Sequence, residues 1–384
     1  MPYAEGRVFY DADSHLMETS DWLVSYADPG VRDRLRPMYL GGAGRLADEA
    51  VARADARRSD PSAAEAAEEH LLTTKGWSAL GAFDPTERSR ALDLLGFERQ
   101  LVFSTFAATQ FVGDDPDLLY GGARAHNRAI AESCRDDPRL VGVGFVPLDV
   151  PERAVAATSE AIEMGCGAVL VPSAPPKTHS PTHPDLNAVW ATLEETGIPF
   201  MLHVGGGGRP LHPAFHENGR PKPTDFLGGG ENVRAKDYMV LHNPPEIFLA
   251  AMVLDGVFEE FPGLRGGCIE QGALWVVPFL KRLDIAQGTF KKSEPLLAAL
   301  PERASDYVRR QVRFTPYPTE PVGWLIEQAG DELFLFSSDY PHPEGGRDPL
   351  RRFEDSLGDI GEEARERFYS GNFAEMMGMV AAPA

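Results

Sequence analysis

Leu333-Phe334-Leu335-Phe336-Ser337-Ser338-Asp339-Tyr340-Pro341-His342-Pro343-Glu344-Gly345-Gly346 is an apolar run that stops at two serines, with a carboxylate and an imidazole close behind. It reads as a buried strand whose C-terminal end delivers Asp339 to a site, with a proline-pinned turn behind it. In a barrel of parallel strands, that end of the strand carries the chemistry. A buried strand closed by a polar cap accounts for the same letters, so the rest of the chain has to decide.

Working outward, strands and helices alternate regularly. Helices expected at 85–95, 119–137, 152–164 and 186–195 lead to strands at 100–103, 140–145, 167–171 and 199–203. Further strands are expected at 266–269, 312–315 and 333–337, with a last helix at 362–377. With a first strand at 7–11 there are eight, each followed by helical sequence, which predicts an α/β fold of the (β/α)8 TIM-barrel type. A doubly wound open sheet is the alternative, but no G-x-G-x-x-G follows the first strand. Two insertions interrupt the pattern, after strands 1 and 5. Residues 30–85, rich in Ala, Asp, Glu and Arg, predict one or two exposed helices or a cap without a second core. Residues 205–241 are rich in Gly. The whole chain, 1–384, is expected to be one domain.

Composition narrows the partners. Of 384 residues, 43% are hydrophobic and 25% charged, which is ordinary for a globular protein. The formal charge of −21 argues against nucleic acid or an anionic membrane, since either needs a basic face. Cys134, Cys166 and Cys268 form no C-x-x-C, as expected in a reducing cytoplasm. No basic and apolar leader opens the chain, so a cytoplasmic protein is expected, with a homo-oligomer left open.

Polar residues collect at the strand ends. After the first strand comes Asp11-Ala12-Asp13-Ser14-His15-Leu16-Met17-Glu18. Alternation places Asp11, Asp13 and His15 on one side, so Asp13 and His15 can address one point; an N-cap cluster before a helix at about 18–26 is the competing account. His203 closes the fifth strand ahead of four glycines, and Glu270 closes the sixth. A carboxylate ending an apolar strand is costly to bury unless a cation is near. His242 begins a helix and can point back over the mouth. Asp13, His15, Glu18, His203, His242, Glu270 and Asp339 are therefore candidate metal ligands, with His242 and His342 as candidate proton carriers. Imidazoles and carboxylates at one face are what a first-row metal needs.

The ladder of D-x-D-x-H, M-L-H-V-G, E-x-G-x-x-W and S-S-D-Y-P-H-P-E-G resembles the amidohydrolase-2 branch of the amidohydrolase superfamily over residues 7–377. The resemblance implies metal ligation by Asp13, His15, His203 and Asp339, and zinc- or manganese-dependent hydrolysis or decarboxylation of small carboxylic acids. Asp13 stands where that branch commonly has His, and Glu270 replaces its sixth-strand His. Asp13, Glu18, Glu270 and Asp339 would carry four negative charges, which two divalent ions balance and one does not. The chain in this respect is similar to the TIM-barrel nonheme diiron monooxygenases related to the platensimycin-pathway diterpenoid hydroxylase. That subgroup implies two iron ions, O2, an electron donor and hydroxylation of an acyl-CoA, in a natural-product (diterpenoid) setting. Arg209, Arg220, Lys222, Arg234 and Lys236 of the second insertion would then meet the CoA phosphates. The alternatives are a hydrolase or decarboxylase with one Zn or Mn, and a non-enzymatic binding protein on the same scaffold.

Overall fold

Seven parallel strands pair in chain order: β1 (Tyr10–Leu16), β2 (Arg99–Ser104), β3 (Leu140–Phe145), β4 (Ala168–Leu170), β5 (Phe200–His203), β6 (Gly266–Ile269) and β7 (Val312–Phe314). The computed structural model describes residues 2–38, 44–208, 210–221 and 234–379. The sheet curls, and its two edges meet at the stretch that opened the sequence analysis. Residues 333–340 are not a regular strand, as the sequence predicts, but an extended segment bonded to both edges. Phe314 N donates to Leu333 O (2.8 Å) and Leu335 N to Phe314 O (2.9 Å) on the β7 side. On the β1 side Ala12 N donates to Phe336 O (3.1 Å), Asp339 N to Asp13 O (2.9 Å) and His15 N to Tyr340 O (2.7 Å). The ladder is interrupted because Ser338 N leaves it for the Asp11 carboxylate (2.7 Å) and Asp339 takes a left-handed φ of 52°. The result is a TIM-barrel architecture of seven strands and one irregular closing segment.

The interior is filled by Ala12, Leu101, Phe103, Val141, Val143, Ala168, Met201, Ile269 and Leu335, nearly one from every strand position. Phe373 and Met376 pack into the same cluster from the C-terminal helix. This is a packed core, not a pore. Outside it, helices start where the sequence signals them. Pro85–Leu95 is capped by Asp84, which accepts from Glu87 N, and ends at Gly96 in the left-handed region. Pro116–Cys134 is capped by Asp115, and its buried Ala123, Ala129 and Ile130 face the barrel.

Three expectations are corrected. The first strand is not 7–11 but Tyr10–Leu16, so Asp13 and His15 lie within it. The last helix, expected unbroken at 362–377, has a π-helical turn at Arg367–Gly371. No helix covers 18–26; only a 3-10 turn, Val24–Tyr26, forms there. The first insertion carries helices Gly44–Ser59 and Pro61–Glu69. All three cysteines are buried and free. Among the described residues, no helix is long and apolar enough to cross a membrane.

A buried polar chain fastens the closing segment to β1. Asp11 accepts from Ser338 N, Ser338 Oγ (2.6 Å) and Gln100 Nε2 (2.7 Å). Arg88, itself buried, donates to Gln100 Oε1 (3.2 Å) and His15 O (3.0 Å). Arg88→Met keeps the volume and removes the charge. Gln100 Oε1 and His15 O then lose their buried donor, at about 1–3 kcal/mol, read as a lower midpoint in chemical denaturation.

Candidate metal centre

β1 brings two side chains to the barrel mouth through a bulge. Its register with β2 advances three residues, Asp11 to Ser14, while β2 advances two, Gln100 to Val102. An extra residue breaks the alternation. Asp11 therefore does not share a side with Asp13 and His15, as simple alternation predicts; it serves the clamp described above.

Asp13, His15, His203 and Glu270 each place one donor atom within 4.8 Å of all the others, and His15, Asp339 and His342 form a second such group. His15 Nε2 lies 3.3 Å from Asp13 Oδ1 and 3.6 Å from Asp339 Oδ1. His203 Nε2 lies 3.4 Å from Asp13 Oδ1 and 3.4 Å from Glu270 Oε2. His203 Nδ1 is 3.0 Å from Val204 O. A carbonyl only accepts, so Nδ1 carries a proton and Nε2 is the nitrogen turned to the carboxylates, free to bind a cation held between them. His15 Nε2 is buried with no aligned hydrogen bond despite these near neighbours. The donor set fits a divalent ion held by imidazole and carboxylate.

Charge and burial oppose one another here. Burial raises the Asp13 carboxyl, but the neighbouring His15 and His203 imidazoles outweigh it and hold it well below the usual range. Burial pushes the His15 imidazole down to about 3, with His342 adding to the fall.

The backbone is bent to present two of these carboxylates. Glu270 and Asp339 both have positive φ, 55° and 52°, costly for residues with a Cβ. Glu270 is held there by Thr315 Oγ1, which accepts from its N–H (2.8 Å), and by Tyr317 Oη, which donates to its carbonyl (2.9 Å). Asp339 is held by its N–H bond to Asp13 O and by His342 N, which donates to its carbonyl (2.7 Å). Gly345 lets this turn close, because a Cβ there would lie 2.0 Å from Ser338 O.

Other expected ligands lie elsewhere. Glu18 is turned away: its carboxylate accepts from the backbone amides of Thr105 (3.0 Å), Phe106 (3.0 Å) and Ala107 (2.9 Å). Burial raises this carboxyl, and the amides oppose the rise. His242 belongs to neither metal-capable group among the described residues. It stacks on Trp275 (5.8 Å, 20°), with Nε2 3.8 Å from Glu246 Oε2. Of the insertion cations, Arg209 and Lys222 lie outside the described residues. Lys236 Nζ donates to Phe215 O (2.7 Å), Arg234 N to Asp237 Oδ2 (3.0 Å) and Arg220 N to Asn218 Oδ1 (3.0 Å). The sequence reading misses Thr105, whose Oγ1 donates to Leu16 O (2.9 Å) and lies 3.1 Å from His342 Nε2. The signal was available: Thr105 follows the last residue of β2, where barrel chemistry sits.

A model of the family described as amidohydrolase matches residues 10–378. The chain belongs to the amidohydrolase family. Among solved structures, this amidohydrolase is similar to an amidohydrolase from Mycobacterium avium subsp. paratuberculosis K-10, at 23% identity over 98% of this chain and 100% of that one, with a TM-score of 0.74. It is also similar to the manganese-bound 5-carboxyvanillate decarboxylase of Novosphingobium aromaticivorans DSM 12444, at 16% identity over 97% of each chain and a TM-score of 0.63. A manganese-bound dihydroxybenzoic acid decarboxylase from Polaromonas sp. JS666 matches at 16% identity over 98% of each chain, with a TM-score of 0.61.

The expectation of a diiron monooxygenase acting on an acyl-CoA is corrected by these findings. The relatives bear the names of decarboxylases and an amidohydrolase, two of them with bound manganese. The physical reason lies in Glu18. Two metals follow from four converging carboxylates, and Glu18 spends its charge on three amides instead. The role in binding CoA phosphates assigned to the insertion cations falls with that reading.

Two variants separate ligand from scaffold. His203→Ala should remove most of the bound metal on elemental analysis. Glu18→Ala should leave metal stoichiometry unchanged yet lower the thermal midpoint, because buried amides lose their acceptor at about 1–3 kcal/mol.

Proposed function

We infer that this amidohydrolase is a decarboxylase of a small carboxylic acid, dependent on one manganese or zinc ion. The grouping of Asp13, His15, His203 and Glu270, with Asp339 joined to it through His15 (3.6 Å), carries the reading. Three carboxylates and two imidazoles supply about the number of donors that one divalent ion coordinates. The decarboxylases among the structural relatives support the reaction class, and a cytoplasmic setting agrees with the free thiols.

Asp13, His15, His203 and Asp339 would hold the ion, with Glu270 at the more open side. Once bound there, the metal supplies positive charge that polarises and orients substrate oxygens. The rest falls to the protein. Removing CO2 from an acid requires a proton at the vacated carbon, whose bonding electrons come from the broken C–C bond. His342 is placed to handle that proton. Its Nε2 lies 3.1 Å from Thr105 Oγ1, whose own proton goes to Leu16 O, so Nε2–H donates to the hydroxyl. Its Nδ1 lies 3.1 Å from Asp339 Oδ1, so a second proton can pass between imidazole and carboxylate. Stacking against His15, with centroids 3.9 Å apart, keeps the ring in that plane.

The test is turnover of a panel of hydroxylated benzoic acids, starting with 5-carboxyvanillate and dihydroxybenzoate, by manganese-loaded protein in D2O without O2. CO2 release and one deuterium at the vacated carbon are expected, with His342→Asn slower by about 10²-fold or more. Product oxygen drawn from labelled water without CO2 release would replace decarboxylation by hydrolysis.

A further inference from the structure

Hydrogen bonds alone leave the two imidazoles of the main donor group loosely aimed. His15 Nε2 has no aligned hydrogen bond, and its Nδ1 lies 3.5 Å from Thr105 Oγ1, at the outer limit of one. His203 Nδ1 donates to Val204 O (3.0 Å), while its Nε2 is the atom turned to Asp13 and Glu270. An imidazole turns about two torsions. A bond at one nitrogen leaves the plane of the ring to be set by whatever packs against its faces.

Phe103 packs against both rings. It is the register partner of His15 across β1 and β2, so the two side chains stand side by side on one face of the sheet. Leu101 and Phe103 alternate into the barrel core, and Phe103 is the nearer of the two to the C-terminal end of β2. Its ring centroid lies 4.5 Å from that of His203 and 5.9 Å from that of His15, at tilts of 37° and 36°. His15 and His203 meet edge to face at 5.1 Å and 72°. The three rings close a triangle, and His342 stacks on His15 at 3.9 Å and 19°. Phe103 is 1% exposed, so its ring shifts only if its neighbours shift with it. A buried phenyl ring against two imidazoles restricts their planes and keeps water away from that side of them.

We propose that Phe103 is a positioning residue for the metal centre: it sets the ring planes of His15 and His203, and through them the affinity for the divalent ion. The assignment rests on the metal-dependent reading above. It gives a role in the centre to β2, a strand that supplies no member of either metal-capable group among the described residues.

The test is titration of manganese into the full chain after chelator treatment, read by competition with a chelating dye and by the electron paramagnetic resonance of the bound ion. Phe103→Leu removes the ring and keeps an apolar side chain. It should weaken manganese binding by about tenfold or more and broaden the spectrum of the bound ion. Phe373→Leu is the control. It loses the same atoms from the same core cluster, but beside Tyr10, the first residue of β1, where the two ring centroids are 5.2 Å apart. It should lower the thermal midpoint and leave manganese affinity and spectrum unchanged. If the leucine protein does not fold, Phe103→Met, which fills more of the space, takes its place with the same expectation. Unchanged affinity in the Phe103 variant overturns the assignment. So does an equal loss in Phe373→Leu, because affinity would then follow the stability of the core and not the ring. If the unaltered chain takes up neither manganese nor zinc, the metal-dependent reading itself fails, an outcome distinct from one confined to the variants.

Discussion

Asp11 holds the structure in register at the place where the barrel has to close. It contributes nothing to the metal centre directly, yet Ser338 N, Ser338 Oγ and Gln100 Nε2 all donate to its buried carboxylate. Those bonds fix the closing segment against β1 one residue before Asp339. They also replace the ladder bonds that Ser338 would make in a regular strand, which frees the next residue to turn. Burial still pushes the Asp11 carboxyl up to about 7 in spite of its hydrogen bonds, so the clamp is costly to bury.

Carboxylates perform two different tasks in this protein. Glu18 gathers the amides of the loop after β2, and Glu320 does the same after β6, accepting from Ala273 N (2.8 Å), Leu274 N (3.0 Å) and Tyr317 N (2.8 Å). Each buries an anion among backbone donors and stiffens a loop at the mouth. Asp13, Glu270 and Asp339 instead face imidazoles and one another. Two of the three sit on left-handed backbone, a strained conformation that tends to collect at functional sites. The difference between the two sets decides how much charge the centre can hold, and therefore how many metals it calls for.

That charge count links fold to chemistry. With Glu18 committed to the scaffold, the centre keeps three carboxylates, and His342 lies alongside, 3.1 Å from Thr105 Oγ1 and 3.1 Å from Asp339 Oδ1. A site of this kind suits removal or transfer of a proton next to a polarised oxygen. The end of the long excursion between β1 and β2 packs on this mouth: Gly76 N donates to Pro341 O (2.9 Å), Trp77 Nε1 to Glu18 O (3.0 Å), and Trp77 stacks on Phe106.

Much of this was legible in the letters. The alternation of apolar runs and capped helices is local, so it predicts the strand order, and the helix at 85–95 could be read from Asp84, Pro85 and Gly96 alone. Asp13, His15, His203, Glu270 and Asp339 were recognisable because a polar residue ending an apolar strand needs a reason. Direction was not legible. Whether Glu18 meets a metal or three amides depends on where the loop after β2 passes, and that is settled by contacts 87 to 89 residues apart in sequence. The bulge that parts Asp11 from Asp13 is equally invisible, because it exists only in the register between two strands. Residue type decides which atoms can bind a cation; only the packed chain decides which of them point at it.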